Sequence, residues 1–166
     1  IGTGTGLLAF AARHLWPHAY FIASDIDPVS VEVAAQNAAI NNVPLGQGMG
    51  QLALCTAMGT DEAMIQRRAS YDLVIANILA GPLIELAPAF AAILNEGGGL
   101  ILAGLLDTQV PAVLRAYRRL GFRLNIRNDS GDWPALHLVM RRRYGWRRDI
   151  RAKQGTSQPP GDFGTW

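Results

Sequence analysis

The chain has 166 residues, enough for one domain with a sizeable core. Hydrophobic residues make up 49% and charged residues 17%, which excludes a disordered chain, and no apolar run approaches the ~20 residues of a membrane span. The net charge of +2 hides a split: residues 1–140 carry −3 and residues 141–166 carry +5, so the basicity belongs to the end of the chain.

The chain opens on "IGTGTGLLAF", with glycines at positions 2, 4 and 6. Glycine at this spacing joins a buried strand to a helix. Here only Ile1 precedes the loop, so the first strand of the sheet is expected to be missing. Leu7 to Leu15 reads as a helix, ended by Pro17. Ala19 to Ser24 is a short buried strand that finishes at Asp25. "DPVSVEVAAQNAAINN" reads as a helix with Asp27 as N-cap and Pro28 in its first turn. Val29, Val33, Gln36 or Asn37, and Ile40 fall on its successive turns, and Asn41-Asn42 end it.

"LGQGMGQ" is a loop, "LALCTA" a third strand, and Asp61 to Arg68 a weak helix. "YDLVIA" is apolar nearly throughout, as expected of a strand covered on both faces. Pro82 opens a helix to about Leu94, and "EGGG" breaks it. "LILAG" is another buried strand. Val110 to Leu120 is amphipathic, with Arg115, Arg118 and Arg119 towards water, and Gly121 closes it. "FRLNIRND" and "ALHLVMR" alternate with no helix between them, so they should pair antiparallel.

The order predicts an α/β domain with a Rossmann-like, doubly wound, mostly parallel sheet, ending in an antiparallel strand pair. The domain is placed at residues 1–143, and residues 144–166 are read as a basic, disordered tail. Cys55 is the one cysteine, so no intramolecular disulfide forms and a reducing compartment is favoured.

In such a sheet ligands sit beyond the carboxyl ends of the strands. Glycines admit positive φ and let a ligand touch the backbone. Asp25 ends the second predicted strand, where a carboxylate can accept from both hydroxyls of a ribose. A dinucleotide loop is G-x-G-x-x-G. Here the spacing is G-x-G-x-G, which suits S-adenosylmethionine, a ligand without a pyrophosphate. Asn77 ends the "YDLVIAN" strand, where a substrate would meet the cofactor. Its amide offers an acceptor and two donors to the cofactor's amino-acid end or to an incoming amine. His14, His18 and His137 read as surface or turn residues. The stretch Gly59, Thr60 and Asp61 is the expected adenine lining.

Four stretches together, "GTGTGLLAFAA", "SDIDPVSVEVAAQNAAINN", "YDLVIANILAGPLIELAP" and "GGGLILAGLL", resemble the PrmA family of methyltransferases, which act on ribosomal protein L11. The likeness runs from about Gly2 to Arg141, and "GDWPALHL" is similar to the family's final hairpin. It implies S-adenosyl-L-methionine as cofactor, with contacts from Gly2, Asp25 and Asn77, and with Gly4 and Gly6 completing the loop. Asp27 matches the second acid of the family's "DID" pattern, although its residue type fits a helix cap. The implied activity is N-methylation of lysine and N-terminal amines of a large-subunit ribosomal protein, by in-line methyl transfer in the cytoplasm. No membrane contact is expected, and nucleic acid could meet only the tail. The family carries a recognition domain and a first strand ahead of the loop, so the chain is expected to be a catalytic fragment. Three alternatives keep the loop: a methyltransferase for RNA or another protein, an inactive truncated domain, and an NAD-binding oxidoreductase.

Overall fold

The computed structural model describes residues 1–141. In chain order its elements are α1 (Leu7–Leu15), β1 (Phe21–Asp25), α2 (Pro28–Ile40), β2 (Leu52–Thr56), α3 (Ala63–Arg68), β3 (Tyr71–Asn77), α4 (Ala80–Glu85), α5 (Ala87–Ile93), β4 (Leu94–Ala103), α6 (Val110–Arg119), β5 (Phe122–Asn128) and β6 (Ala135–Met140). The tail read at 144–166 lies outside the described residues.

The predicted elements form, and the last two strands pair antiparallel as their alternation requires. β1 pairs parallel with β2, and β3 parallel with β4. β6 then inserts antiparallel between β4 and β5, giving the order β3-β4-β6-β5. Among the described residues the strands form two sheets, and the break falls between β1 and β3. The glycine loop crosses it at the carboxyl ends. Ile1 N donates to Ile75 O of β3 at 2.9 Å, and Thr3 N donates to Ser24 O of β1 at 2.9 Å.

Three details differ from the sequence reading. The stretch "EGGG" does not break the chain into a loop. β4 runs through it, because Gly98 and Gly99 let strands approach closely. A Cβ on Gly98 would sit 3.1 Å from Tyr71 O, and one on Gly99 3.1 Å from His137 Nε2. The cost is a register shift between Tyr71 and Leu73. The helix expected from Pro82 to Leu94 is two helices. Pro88 has no N–H for the carbonyl of Ile84 and clashes with it, so the path bends at Leu86. The apolar face of α2 is also not the expected one. Val29 and Ile40 are exposed, whereas Ala34 and Ala38 are wholly buried. Small side chains let this helix lie close on β1 and β2.

The core gathers on the larger sheet. Leu83, Phe90, Leu100, Leu102, Val113, Tyr117, Phe122, Leu136 and Leu138 are buried in one cluster. Val110, Val113, Leu114 and Tyr117 form the buried stripe of α6 at helical spacing. Tyr117 packs edge-on against Phe122 and donates its hydroxyl to Leu83 O at 2.6 Å. Burial pushes the phenol pKa up. A Tyr117→Phe change keeps the ring and strands the Leu83 carbonyl. Urea unfolding should therefore show a loss of about 1–3 kcal/mol.

No described helix is long and apolar enough to cross a membrane.

Candidate functional site

The glycine loop, Asp25 and Asn77 converge at the carboxyl ends of the parallel strands. The ladders set this level: Asp25 lies opposite Thr56, and Asn77 opposite Ala103. Gly2, Gly4 and Gly6 all have positive φ, at 66°, 52° and 89°, so the turn is closed to most L-residues. Space constrains two of them as well. A Cβ on Gly2 would stand 2.3 Å from Ile78 Cγ2, and one on Gly6 would stand 2.5 Å from the Phe10 ring. A Cβ on Gly4 meets nothing within 4 Å, so the loop borders open space there.

Asp25 is fixed by the loop it faces. Gly4 N donates to Oδ2 at 2.8 Å, and Asp27 N donates to Oδ1 at 3.2 Å. Each oxygen holds one backbone donor and retains acceptor capacity for another. Asp27 caps α2 as its residue type suggested: Val29 N donates to its Oδ1 at 2.9 Å.

Gly2 touches the end of β3: its Cβ position lies 3.7 Å from Asn77 O. The Asn77 side chain is exposed and has no hydrogen-bond partner among the described residues. Thus Gly2 and Asn77 meet, as do Gly4 and Asp25, while Gly6 starts α1 and shapes the loop from behind.

The stretch read as adenine lining is split. Thr60 is buried, with its carbonyl accepting from Gln66 Nε2 at 2.8 Å, so it shapes the turn. Gly59, at φ 65°, packs on Leu86, and Asp61 is exposed. Around the strand ends Ile26, Met58 and Leu79 expose most of their surface, an apolar rim that a ligand with an aromatic base could cover.

His14 and His18 are exposed, as expected. His137 is not a turn residue. It sits half-buried on β6 opposite Ile101, two rungs below the level of Asn77, with Nδ1 3.2 Å from Asn125 Nδ2.

Two supporting residues escape a sequence reading. Asn37 Nδ2 donates to Thr5 O at 2.9 Å and ties α2 to the loop. In the sequence it is one helical position among others. Gly104, at φ 82°, leaves room for the Ile78 carbonyl and the Asn77 amide, which a Cβ would approach to 2.7 and 2.8 Å. Its only signal is a glycine straight after a buried strand.

The profile of the family described as ribosomal protein L11 methyltransferase (PrmA) matches residues 1–141. The ribosomal protein L11 methyltransferase of Brucella abortus (strain S19) is 42% identical over 139 residues, covering 84% of this chain and 47% of that protein. That of Mesorhizobium japonicum is 41% identical over 138 residues, covering 83% and 46%. The crystal structure of ribosomal protein L11 methylase from Lactobacillus delbrueckii subsp. bulgaricus superposes with a TM-score of 0.73 at 31% identity, over 84% of this chain and 67% of that one. A methyltransferase from Pyrococcus furiosus, at 19% identity and a TM-score of 0.66, shares the fold. The chain spans about half the length of the curated relatives it matches.

Proposed function

This chain belongs to the ribosomal protein L11 methyltransferase (PrmA) family, and from that membership we propose that it is the catalytic part of an S-adenosylmethionine-dependent protein N-methyltransferase. Its substrate is the large-subunit ribosomal protein L11, methylated on lysine and N-terminal amines by in-line transfer in the bacterial cytoplasm. The family membership sets aside the oxidoreductase alternative.

The observation that carries the site assignment is Asp25. A carboxylate fixed by two backbone N–H groups, yet with acceptor capacity left, suits the two hydroxyls of a ribose. Open space beside Gly4 leaves room for that ligand against the loop, and the unpartnered Asn77 amide suits a polar group above β3. S-adenosylmethionine therefore fits the residues present. Gly2, Gly4 and Asp25 would hold it, Gly6 would support the loop, and Asn77 would meet its amino-acid end or the incoming amine. When bound, it supplies a methyl group already activated on a sulfonium.

The chain's own task is then positioning. A lysine amine, with its usual pKa near 10.4, must be neutral to accept a methyl group. The exposed apolar rim of Ile26, Met58 and Leu79 would exclude water and disfavour the charged form. The Asn77 carbonyl oxygen would accept from the neutral amine and orient its lone pair.

Calorimetric titration of this chain with S-adenosylmethionine, followed by methyl transfer to purified ribosomal protein L11, tests the reading. Asn77→Ala should lower turnover about ten- to hundredfold, as for loss of one or two hydrogen bonds. The absence of both binding heat and thermal stabilisation with the unaltered chain would overturn the reading. Unchanged affinity and turnover in Asn77→Ala would remove that residue from both roles.

A further inference from the structure

Charge is segregated along the folded part of this chain. Residues 108–128 contain five arginines and no Asp or Glu, a net of +5, while the rest of residues 1–140 carries −8. This basic stretch covers α6 and β5. Arg127 is neutralised there by Asp107 and Asp129. Arg123 follows Phe122, which packs on Tyr117 of α6, so alternation sends Arg123 to the other face of the sheet. The remaining three, Arg115, Arg118 and Arg119, share the solvent side of α6. Their side chains are exposed and have no ion pair or hydrogen bond among the described residues.

Helix capping does not account for all three. Cations in the last turn of a helix complement its dipole, which suits Arg118 and Arg119. Arg115 stands a turn earlier, where that effect has faded. Together the three border an open groove of about 580 Å³ that runs along Val110, Pro111 and Leu114. Arg115 and Arg119 are four residues apart, about 6 Å along the axis, with Arg118 between them. Like charges at this spacing repel, and no described acid is paired with them. A polyanion laid along the helix would relieve that repulsion.

The patch lies away from the glycine loop. Arg141 N donates to Gly121 O at 3.1 Å, and Phe122 lies opposite Met140. The carboxyl end of α6 is therefore at the far end of β4 and β6 from Asn77. Arg141 adds an exposed cation at that end, and residues 142–153 continue with five arginines and a lysine against one aspartate.

The surroundings select the kind of anion. A membrane surface or an amphipathic protein segment needs exposed apolar side chains beside the charges. None of the large exposed apolar residues described lies between Leu106 and Ile126. Arginine binds phosphate through two N–H groups of its planar fork, and the face of that fork stacks on a base. We propose that this flank of α6 docks the phosphate backbone of single-stranded nucleic acid, with Arg115, Arg118 and Arg119 on neighbouring phosphates. It extends to the fold the nucleic-acid contact that the sequence allows to the tail. It is independent of the methyl-transfer reading, because the patch and Asn77 stand at opposite ends of the sheet.

The test is fluorescence anisotropy of a labelled twelve-residue oligouridylate with the full chain, in the absence of S-adenosylmethionine. Binding should weaken steeply with salt. The combined change Arg115→Gln, Arg118→Gln and Arg119→Gln should lower affinity at least tenfold. It should also flatten the log–log salt slope by about 2, as for three phosphate contacts on a single strand. Its thermal melt should match the parent's, since the three side chains hold no partner in the fold. The combined change Arg147→Gln, Arg148→Gln and Arg151→Gln removes the same charge from the tail and should cost less. No binding by the parent chain overturns the proposal. So does a loss below tenfold, or an unchanged salt slope, in the α6 variant. An equal or larger loss in the tail variant also overturns it, by assigning the binding to the tail. Competition by polyglutamate of the same length as strong as by the oligouridylate overturns it too, by assigning the patch to an acidic protein. The readout needs no cofactor, so its failure would leave the methyl-transfer reading standing, and the converse holds.

Discussion

Replacing Asp25 with alanine is expected to weaken S-adenosylmethionine binding at least a hundredfold. The carboxylate would accept two hydrogen bonds from the ribose, and bonds to a charged group are worth about 1.5–3 kcal/mol each. Their sum, about 3–6 kcal/mol, corresponds to a hundredfold or more in affinity. A second loss adds to the first. The same carboxylate holds Gly4 N at 2.8 Å and Asp27 N at 3.2 Å, so the alanine also frees the loop and the entry to α2. Asp25→Asn separates the two contributions. It keeps the shape but turns an NH₂ group towards one of those backbone N–H donors, so one oxygen must give up either a backbone partner or a hydroxyl. Its affinity should fall between those of the parent chain and Asp25→Ala. Titration calorimetry reads the affinities, and a thermal melt shows whether the apo fold survives. An Asp25→Ala chain that binds as tightly as the parent would disprove the ribose role.

Asp25 was legible in the sequence because its position follows from the α/β repeat: loop, helix, strand, acid. The same holds for the N-cap at Asp27, where residue type and a following proline suffice. Local chemistry decides such features, so a linear reading reaches them. The misreadings have another origin. The triple glycine at 97–99 looks like a breaker, yet its neighbours across the sheet, Tyr71 and His137, make it a strand. The buried side of α2 is set by how closely the sheet approaches it, and that selects Ala34 and Ala38 over the larger Val29 and Ile40. Asn37 and Gly104 support the site through partners 32 residues back and 26–27 residues back, and no periodicity records such contacts.

Gly104→Ala should cost about 2–4 kcal/mol of stability and disable the site from behind. Two effects combine. A φ of 82° is unfavourable for an L-residue by about 1–2 kcal/mol. The new methyl would also lie 2.7 Å from Ile78 O, 3.0 Å from Ile78 C and 2.8 Å from Asn77 Oδ1. Two of these three atoms are backbone, so relief requires either the end of β3 or the end of β4 to move. A shift of the Asn77–Ile78 link carries two consequences. It displaces the Asn77 amide, and it disturbs Gly2, whose own Cβ position is within 2.3 Å of Ile78 Cγ2. Affinity for S-adenosylmethionine and turnover should therefore fall together, although Gly104 presents no side chain to a ligand. Gly81→Ala is the matched control. Gly81 lies in α4, and a Cβ there meets nothing within 4 Å, so the substitution should stabilise by about 0.5–1 kcal/mol through helix propensity. Urea midpoints and calorimetric titration of the two variants provide the comparison. If Gly104→Ala unfolds like the parent and binds S-adenosylmethionine equally well, the close approach of β4 to Asn77 does not position that residue.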